Sequence, residues 1–256
     1  MILSHRHRFI FLHCRKVAGS SITVCLNPFL GPDDLQVGGW TECIRRGGRY
    51  NRRIMNEMRS PSGAFILGRN ALKDLLRGKR PQPADLVNRT QKRLYKGVTG
   101  NKAQQPTAEE LRAFAPWEWE RYYKFCFVRN PYERALSDYK WRTKDSTDIS
   151  FREFLERLRD PQRPDAEKVV PRPRSNWPIY TIDDKVAVDF VGRYENLVPD
   201  FAHLCDRIGV PFETSWFPHA RSSGAQRGYR SFYGREERVI VEEVFGNEIE
   251  RFGYTF

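Results

Sequence analysis

The feature that most restricts what this chain can fold into is a pair of similar corners. Phe9-Ile10-Phe11-Leu12 leads into Arg15-Lys16-Val17-Ala18-Gly19-Ser20-Ser21, and Phe125-Cys126-Phe127-Val128 leads into Arg129-Asn130-Pro131-Tyr132-Glu133-Arg134-Ala135-Leu136-Ser137. In each, an apolar run of strand character is followed by a loop and then by a helix-forming run. Such a corner aims backbone N–H groups, the positive end of a helix and nearby cationic side chains at one point, which makes an anion site. Two of them in one α/β unit predict a ligand that is anionic at both ends, such as a nucleotide bisphosphate.

The second corner is the more sharply defined. Pro131 suits the first turn of a helix, where no N–H is needed, and it keeps Asn130 out of the α region. Arg129 is thereby held at the C-terminal edge of its strand, where open α/β sheets bind ligands. Ser137 falls two turns along the helix, close enough to share an anion with a long arginine. The first corner is not a Walker A loop. Neither Gly-x-x-x-x-Gly-Lys-Ser/Thr nor Gly-x-Gly-x-x-Gly occurs in the sequence, which counts against ATPase, kinase and nicotinamide-dependent chemistry. Taken singly, each corner has a plainer explanation: Ser20 or Ser21 capping a helix, and Arg129 pairing with Glu133.

Together, the corners resemble the signature of sulfotransferases that use 3′-phosphoadenosine 5′-phosphosulfate (PAPS), and Arg-Asn-Pro-Tyr-Glu-Arg resembles the carbohydrate-sulfotransferase version. Asp189-Phe190-Val191-Gly192-Arg193-Tyr194-Glu195-Asn196-Leu197 and Phe252-Gly253-Tyr254-Thr255-Phe256 are similar to the same family. The likeness covers residues 8–35 and 106–256, whereas residues 36–105 match poorly. It implies the P-loop-NTPase-like sulfotransferase fold, an α/β fold with a mainly parallel central sheet flanked by helices on both faces. It also implies roles. Lys16 would stabilise charge on the leaving phosphate, with Arg15, Ala18, Gly19, Ser20 and Ser21 wrapping the 5′-phosphosulfate. Arg129 and Ser137 would take the 3′-phosphate. Tyr194 would sit near the adenine, and the loop Arg221–Tyr229 would close over the nucleotide, with Arg227 as a further 3′-phosphate ligand. In this chain Arg15 stands where proline is usual, and Val17 replaces a threonine, removing one hydroxyl donor.

Several sulfotransferase families use a glutamate beyond the loop lysine as general base, and others use a histidine from later in the chain. Glu42 is thus the first candidate here, with His219 and His13 as alternatives; no metal is implied.

The net charge of +12 is concentrated in one place. Residues 45–102 hold 16 Lys and Arg against three acids, Glu57, Asp74 and Asp85, so the excess lies in the segment that matches the family poorly. Stretches such as Arg45-Arg46-Gly47-Gly48-Arg49 and Arg77-Gly78-Lys79-Arg80-Pro81 read as loops between short helices. The bland reading is a solvated basic surface; the functional one is a cationic wall that attracts an acidic acceptor and the anionic donor. No nucleic-acid module is visible, so no nucleic-acid partner is expected.

A chain of 256 residues, 39% apolar, can build one α/β core, read here as a single domain over 1–256 with a basic insert at about 36–105. No run reaches the apolar length of a membrane span, and Met1-Ile2-Leu3-Ser4-His5-Arg6 has no apolar signal region. The five cysteines, Cys14, Cys25, Cys43, Cys126 and Cys205, form no Cys-x-x-Cys pair. Free buried thiols and a cytoplasmic protein are the expectation. His5, His7 and His13, beside Arg6 and Arg8, read as solvated surface.

The expected elements are a strand at 9–12, a helix at 20–29, a helix at 107–115 capped by Thr107, a strand at 124–128 and a helix at 131–143. A further helix carries Phe151, Phe154, Leu155 and Leu158, and a Pro- and Arg-rich surface loop near the site follows over 160–178. A strand near 186–191, a helix at 197–208 with Gly209 as its C-cap and a long helix at 234–251 complete the chain. The reading is a PAPS-dependent sulfotransferase that sulfates a hydroxyl of a glycan or other acceptor, an acidic one, leaving adenosine 3′,5′-bisphosphate. The rivals are a non-enzymatic basic protein that binds acidic glycan or nucleic acid, and another nucleotide-dependent phosphotransferase.

Overall fold

The apolar runs become the middle of one five-stranded sheet in a computed structural model, which describes residues 1–97, 105–144, 148–217 and 228–256. The strands are β1 (Ile2–Ser4), β2 (Phe9–Phe11), β3 (Leu35–Gln36), β4 (Tyr123–Val128) and β7 (Phe190–Arg193), in the order β3-β1-β2-β4-β7. A separate two-stranded ribbon joins β5 (Thr181–Ile182) to β6 (Lys185–Val186) through Asp183 and Asp184, both at positive φ. β2, β4 and β7 are parallel, with Phe11 opposite Phe125 and Phe127 opposite Gly192. This places the ends of both predicted corners on the same edge of the sheet.

The sheet is mixed rather than mainly parallel, because β1 pairs antiparallel with both β2 and β3. The cause is a tight turn over residues 5–8, pinned by the buried Asp34. Its carboxylate accepts the N–H groups of His5 (2.7 Å), Arg6 (3.1 Å) and Gly31 (2.8 Å) and the Ser4 hydroxyl (2.5 Å). Of the histidines of this region, His5 is exposed, whereas His7 is half-buried. His5 Nδ1 lies 3.0 Å from the Tyr122 hydroxyl, and the His7 ring bridges the carbonyls of Phe29 and Ile208 at 3.2 Å each.

Helices cover the sheet. After α1 (Gly19–Leu26), the basic segment folds into α2 (Trp40–Arg45), α3 (Arg52–Arg59), α4 (Pro61–Leu76) and α5 (Pro83–Leu94), so it is more helical than the loop-rich reading suggests. Asn51 caps α3 by accepting the Ile54 N–H, and Ser60 caps α4 by accepting the Gly63 N–H. Next come α6 (Ala108–Phe114), where Thr107 and Glu110 form a capping box, and α7 (Pro116–Arg121). α8 (Pro131–Arg142) and α9 (Phe151–Arg159) are followed by the short α10 (Trp177–Tyr180). α11 (Leu197–Ile208) ends at Gly209 in the left-handed conformation, and α12 (Arg235–Phe252) is the last helix.

The main core gathers Phe9, Phe11, Phe125, Phe127, Ile22 and Phe201 from the sheet and its flanking helices. Burying each such side chain contributes about 1.5–3 kcal/mol. A second core, with Leu136, Phe154, Leu155, Val241 and Phe245, locks α8, α9 and α12 together and so fixes the helix that carries Ser137. All five cysteines are free and buried. Among the described residues, no helix is long and apolar enough to cross a membrane.

Candidate active site

The first corner leaves β2 at the sheet's middle and crosses Cys14 and Val17, which are buried, before entering α1. Lys16 and Ala18 both have positive φ, at 60° and 63°. Ala18 occupies the N-cap and has no side-chain hydrogen bond. The serines are therefore not the caps; Ser20 and Ser21 sit in the first turn, whose leading N–H groups have no capping side chain. An uncapped helix start behind a lysine is the arrangement that an anionic ligand satisfies. Gly19 is required by close approach, since a Cβ there would lie 2.1 Å from the His13 ring.

What imposes the left-handed turns is far away in sequence. Asn176, fully buried, accepts the Arg15 N–H through Oδ1 and donates from Nδ2 to the Arg15 carbonyl, both at 3.1 Å. The Arg15 side chain turns inward, with Nε 3.5 Å from Asp138 and Nη2 donating to the Arg174 carbonyl at 3.1 Å. Burial pulls its guanidinium down to about 10 against the attraction of Asp138. Arg15 is therefore placed within the wall rather than in the cavity.

The second corner leaves β4. Asn130 caps α8 by accepting the Tyr132 N–H at 3.0 Å, its own N–H is held by Glu195 at 2.6 Å, and Pro131 takes the first helical position. Because β4 and β7 are neighbours, Arg129 lands against Tyr194, its guanidinium 4.1 Å from the ring centroid. Arg129 also pairs with Glu133 at 3.0 Å and donates to the Lys16 carbonyl at 3.4 Å, which ties one corner to the other.

Lys16, Arg129 and Ser137 line one cavity of about 570 Å³, together with Glu133, Lys140, Trp141 and Tyr229. Desolvation lowers Lys16 below the ordinary lysine value; Asp138 opposes the shift, while Arg129 and Arg142 add to it. Its ammonium lies 5.7 Å from the centroid of Trp141. Trp141 is also a wall of a second cavity of about 710 Å³, which is lined by Lys92, Arg142, Arg163, Lys168, Arg172 and Arg174 among others. Among the described residues, Lys92 and Gln105 are the only ones of the first 105 in this lining, and α8 and the 160–174 loop supply most of the rest.

Ser20 and Ser21 are not part of the lining of either cavity, and neither is Glu42, which is exposed on α2. The ring of His13 stacks on Phe11 at 5.7 Å, and burial pushes it down to about 3, so it stays neutral. His219 and Arg227 lie outside the described residues. Sequence reading missed Lys140 and Trp141, although both follow Ser137 on its helix at the spacing that puts side chains on one face. It also missed Asn176, for which no local pattern gives a signal.

A nucleotide-sized cationic cavity across two parallel strand ends marks a class of α/β transferases. The family model described as "Sulfotransferase family" matches residues 1–255, and the chain belongs to that family. Among similar proteins, an uncharacterized protein of Archaeoglobus fulgidus is 36% identical over 107 residues, which is 37% of this chain and 74% of the relative. Carbohydrate sulfotransferase 14 of Homo sapiens is 29% identical over 150 residues, covering 48% of this chain and 35% of the human protein. The same enzyme of Danio rerio is 31% identical over 120 residues, 35% of this chain and 31% of the relative. The match thus spans about a third of the length of these named enzymes. No solved structure matches at a significant level.

Proposed function

We propose that the chain transfers a sulfuryl group from PAPS to a hydroxyl of an acidic carbohydrate, releasing adenosine 3′,5′-bisphosphate. One observation carries this reading: Lys16, Arg129 and Ser137, from the two corners, share one cavity that adjoins a second, cationic cavity across Trp141. The open N–H groups of α1 and the Lys16 ammonium suit the 5′-phosphosulfate, with Ala18, Gly19, Ser20 and Ser21 forming that turn. Arg129 and Ser137 suit the 3′-phosphate, with Arg227 as a further ligand and Tyr194 beside the adenine.

Transfer needs little covalent help from the protein. It needs alignment of the acceptor oxygen and stabilisation of the charge that grows on the leaving phosphate. Lys16 serves the second need, and partial desolvation strengthens its field. The cationic cavity serves the first by holding carboxylates or sulfates of the acceptor. Neither Glu42 nor His13 lines either cavity, so neither is placed to receive the hydroxyl proton.

The test is binding and turnover on the intact chain. Adenosine 3′,5′-bisphosphate should raise the melting temperature well above the effect of adenosine 5′-phosphate or ATP, and radiolabelled sulfate should pass from PAPS to uronate-containing glycans. Equal response to the three nucleotides with no transfer would leave a basic binding protein instead.

A further inference from the structure

Helix α4 carries large apolar side chains on its outer side. Its buried positions are Gly63 and Asp74, and Asn70 on the same face donates to Thr90 at 3.5 Å. Asp74 is paired with Arg89 of α5. Gly63 is needed there, since a Cβ would fall 1.9 Å from the Glu57 carbonyl oxygen. The most buried positions of α4 are thus small or polar, with Ile66 and Leu67 half-buried beside them. Phe65, Leu72 and Leu76 have the same helical spacing as Gly63, Asn70 and Asp74, two residues further on, which puts them about 200° around the helix. They point away from the protein and are 71%, 56% and 80% exposed; Leu75 beside them is 61% exposed. A soluble helix is expected to keep such large apolar side chains off its outer face.

The stripe is edged by cations. Arg69 and Lys73 lie along it, and Arg77, Lys79 and Arg80 follow at its end, all exposed. None of the five forms an ion pair among the described residues. A second copy of this chain is a poor cover, because a two-fold contact would set Arg69 and Lys73 of each copy against their own counterparts. A surface that is apolar beneath and negative above answers both features at once. At 16 residues α4 is about 24 Å long, a length suited to lying in such an interface rather than spanning it.

We propose that α4 docks the protein on an anionic phospholipid bilayer, with Phe65, Leu72, Leu75 and Leu76 in the acyl boundary and the flanking cations at the phosphates. The chain should co-sediment with vesicles of phosphatidylglycerol and phosphatidylcholine, and much less with phosphatidylcholine alone. The triple variant Phe65→Ser, Leu72→Ser, Leu76→Ser keeps every charge and should bind the anionic vesicles at least roughly tenfold more weakly. Its affinity for adenosine 3′,5′-bisphosphate, checked in parallel, reports whether it is folded. Phe65→Trp, a mild change at an exposed position, should show blue-shifted emission and quenching by brominated lipid. The idea is overturned if wild type ignores the vesicles, if the triple variant binds like wild type, if Trp at 65 stays in water, or if light scattering shows a wild-type dimer that the triple variant abolishes.

Discussion

Arg129 is already engaged, by Glu133 and by the Tyr194 ring, so a phosphate there joins an existing network rather than meeting a lone charge. Arg129→Ala should weaken adenosine 3′,5′-bisphosphate by about 2–4 kcal/mol in calorimetry. Adenosine 5′-phosphosulfate, which lacks the 3′-phosphate, should bind both forms alike; equal losses would remove the assignment. Lys16 offers a pH test. Its lowered value means the ammonium is lost at a pH below the usual 10.5, so kcat should fall on the alkaline side earlier than for an ordinary lysine. Lys16→Arg should move that limb upward, and Lys16→Ala should lower kcat about 100- to 1000-fold. Asn176 acts through the loop it clamps. Asn176→Ala should reduce kcat by roughly ten- to a hundredfold with a smaller effect on KM, because Lys16 is misplaced rather than removed. An unchanged kcat would make the clamp merely structural.

Elements are held by charge pairs whose placement decides their weight. Arg134 of α8 and Glu248 of α12 form a buried pair, and the Tyr180 hydroxyl of α10 donates to Glu248 at 3.0 Å. Glu248→Gln leaves an uncompensated buried cation and should cost about 3–5 kcal/mol in urea unfolding. Arg163, beyond the end of α9, and Arg157 on it hydrogen-bond Glu153 and hold its carboxyl down to about 2. A depressed carboxylate contributes stability that is complete above its ordinary value of 4.5 and lost as pH falls from there toward about 2. Wild type should therefore lose stability over that window, and Glu153→Gln should flatten the loss. Much of this level was legible in the sequence: Thr107, Pro131 and Gly209 mark helix ends because each acts on its own neighbours. What was not legible depends on distant partners. Asp34 turns β1 back and makes the sheet mixed, Asp183 and Asp184 divert residues 181–186 into a ribbon and delay the strand to Phe190, and the insert's glycines punctuate helices instead of replacing them.

At the scale of the whole molecule, charge is divided by task. The insert carries the excess, yet several of its arginines are used internally, Arg53 with Glu57 and Arg89 with Asp74. Among the described residues, the cations beside Lys16 come mainly from a stretch whose overall charge is unremarkable, so a count along the sequence does not single it out. Charge reversal of Lys92 and Arg172, both exposed in the cationic cavity, should raise the KM of an acidic acceptor several-fold and flatten its salt dependence while nucleotide affinity holds. The same reversal at Arg45 and Arg46 should leave acceptor KM unchanged, since neither lines that cavity. Trp141, finally, lines both cavities. One indole cannot take two orientations at once, so whatever position the donor selects is the position the acceptor meets. If that ring couples the two, each ligand must alter the other's dissociation constant by the same factor. The emission of that ring, isolated by subtracting a Trp141→Phe variant, would report both events from a single fluorophore.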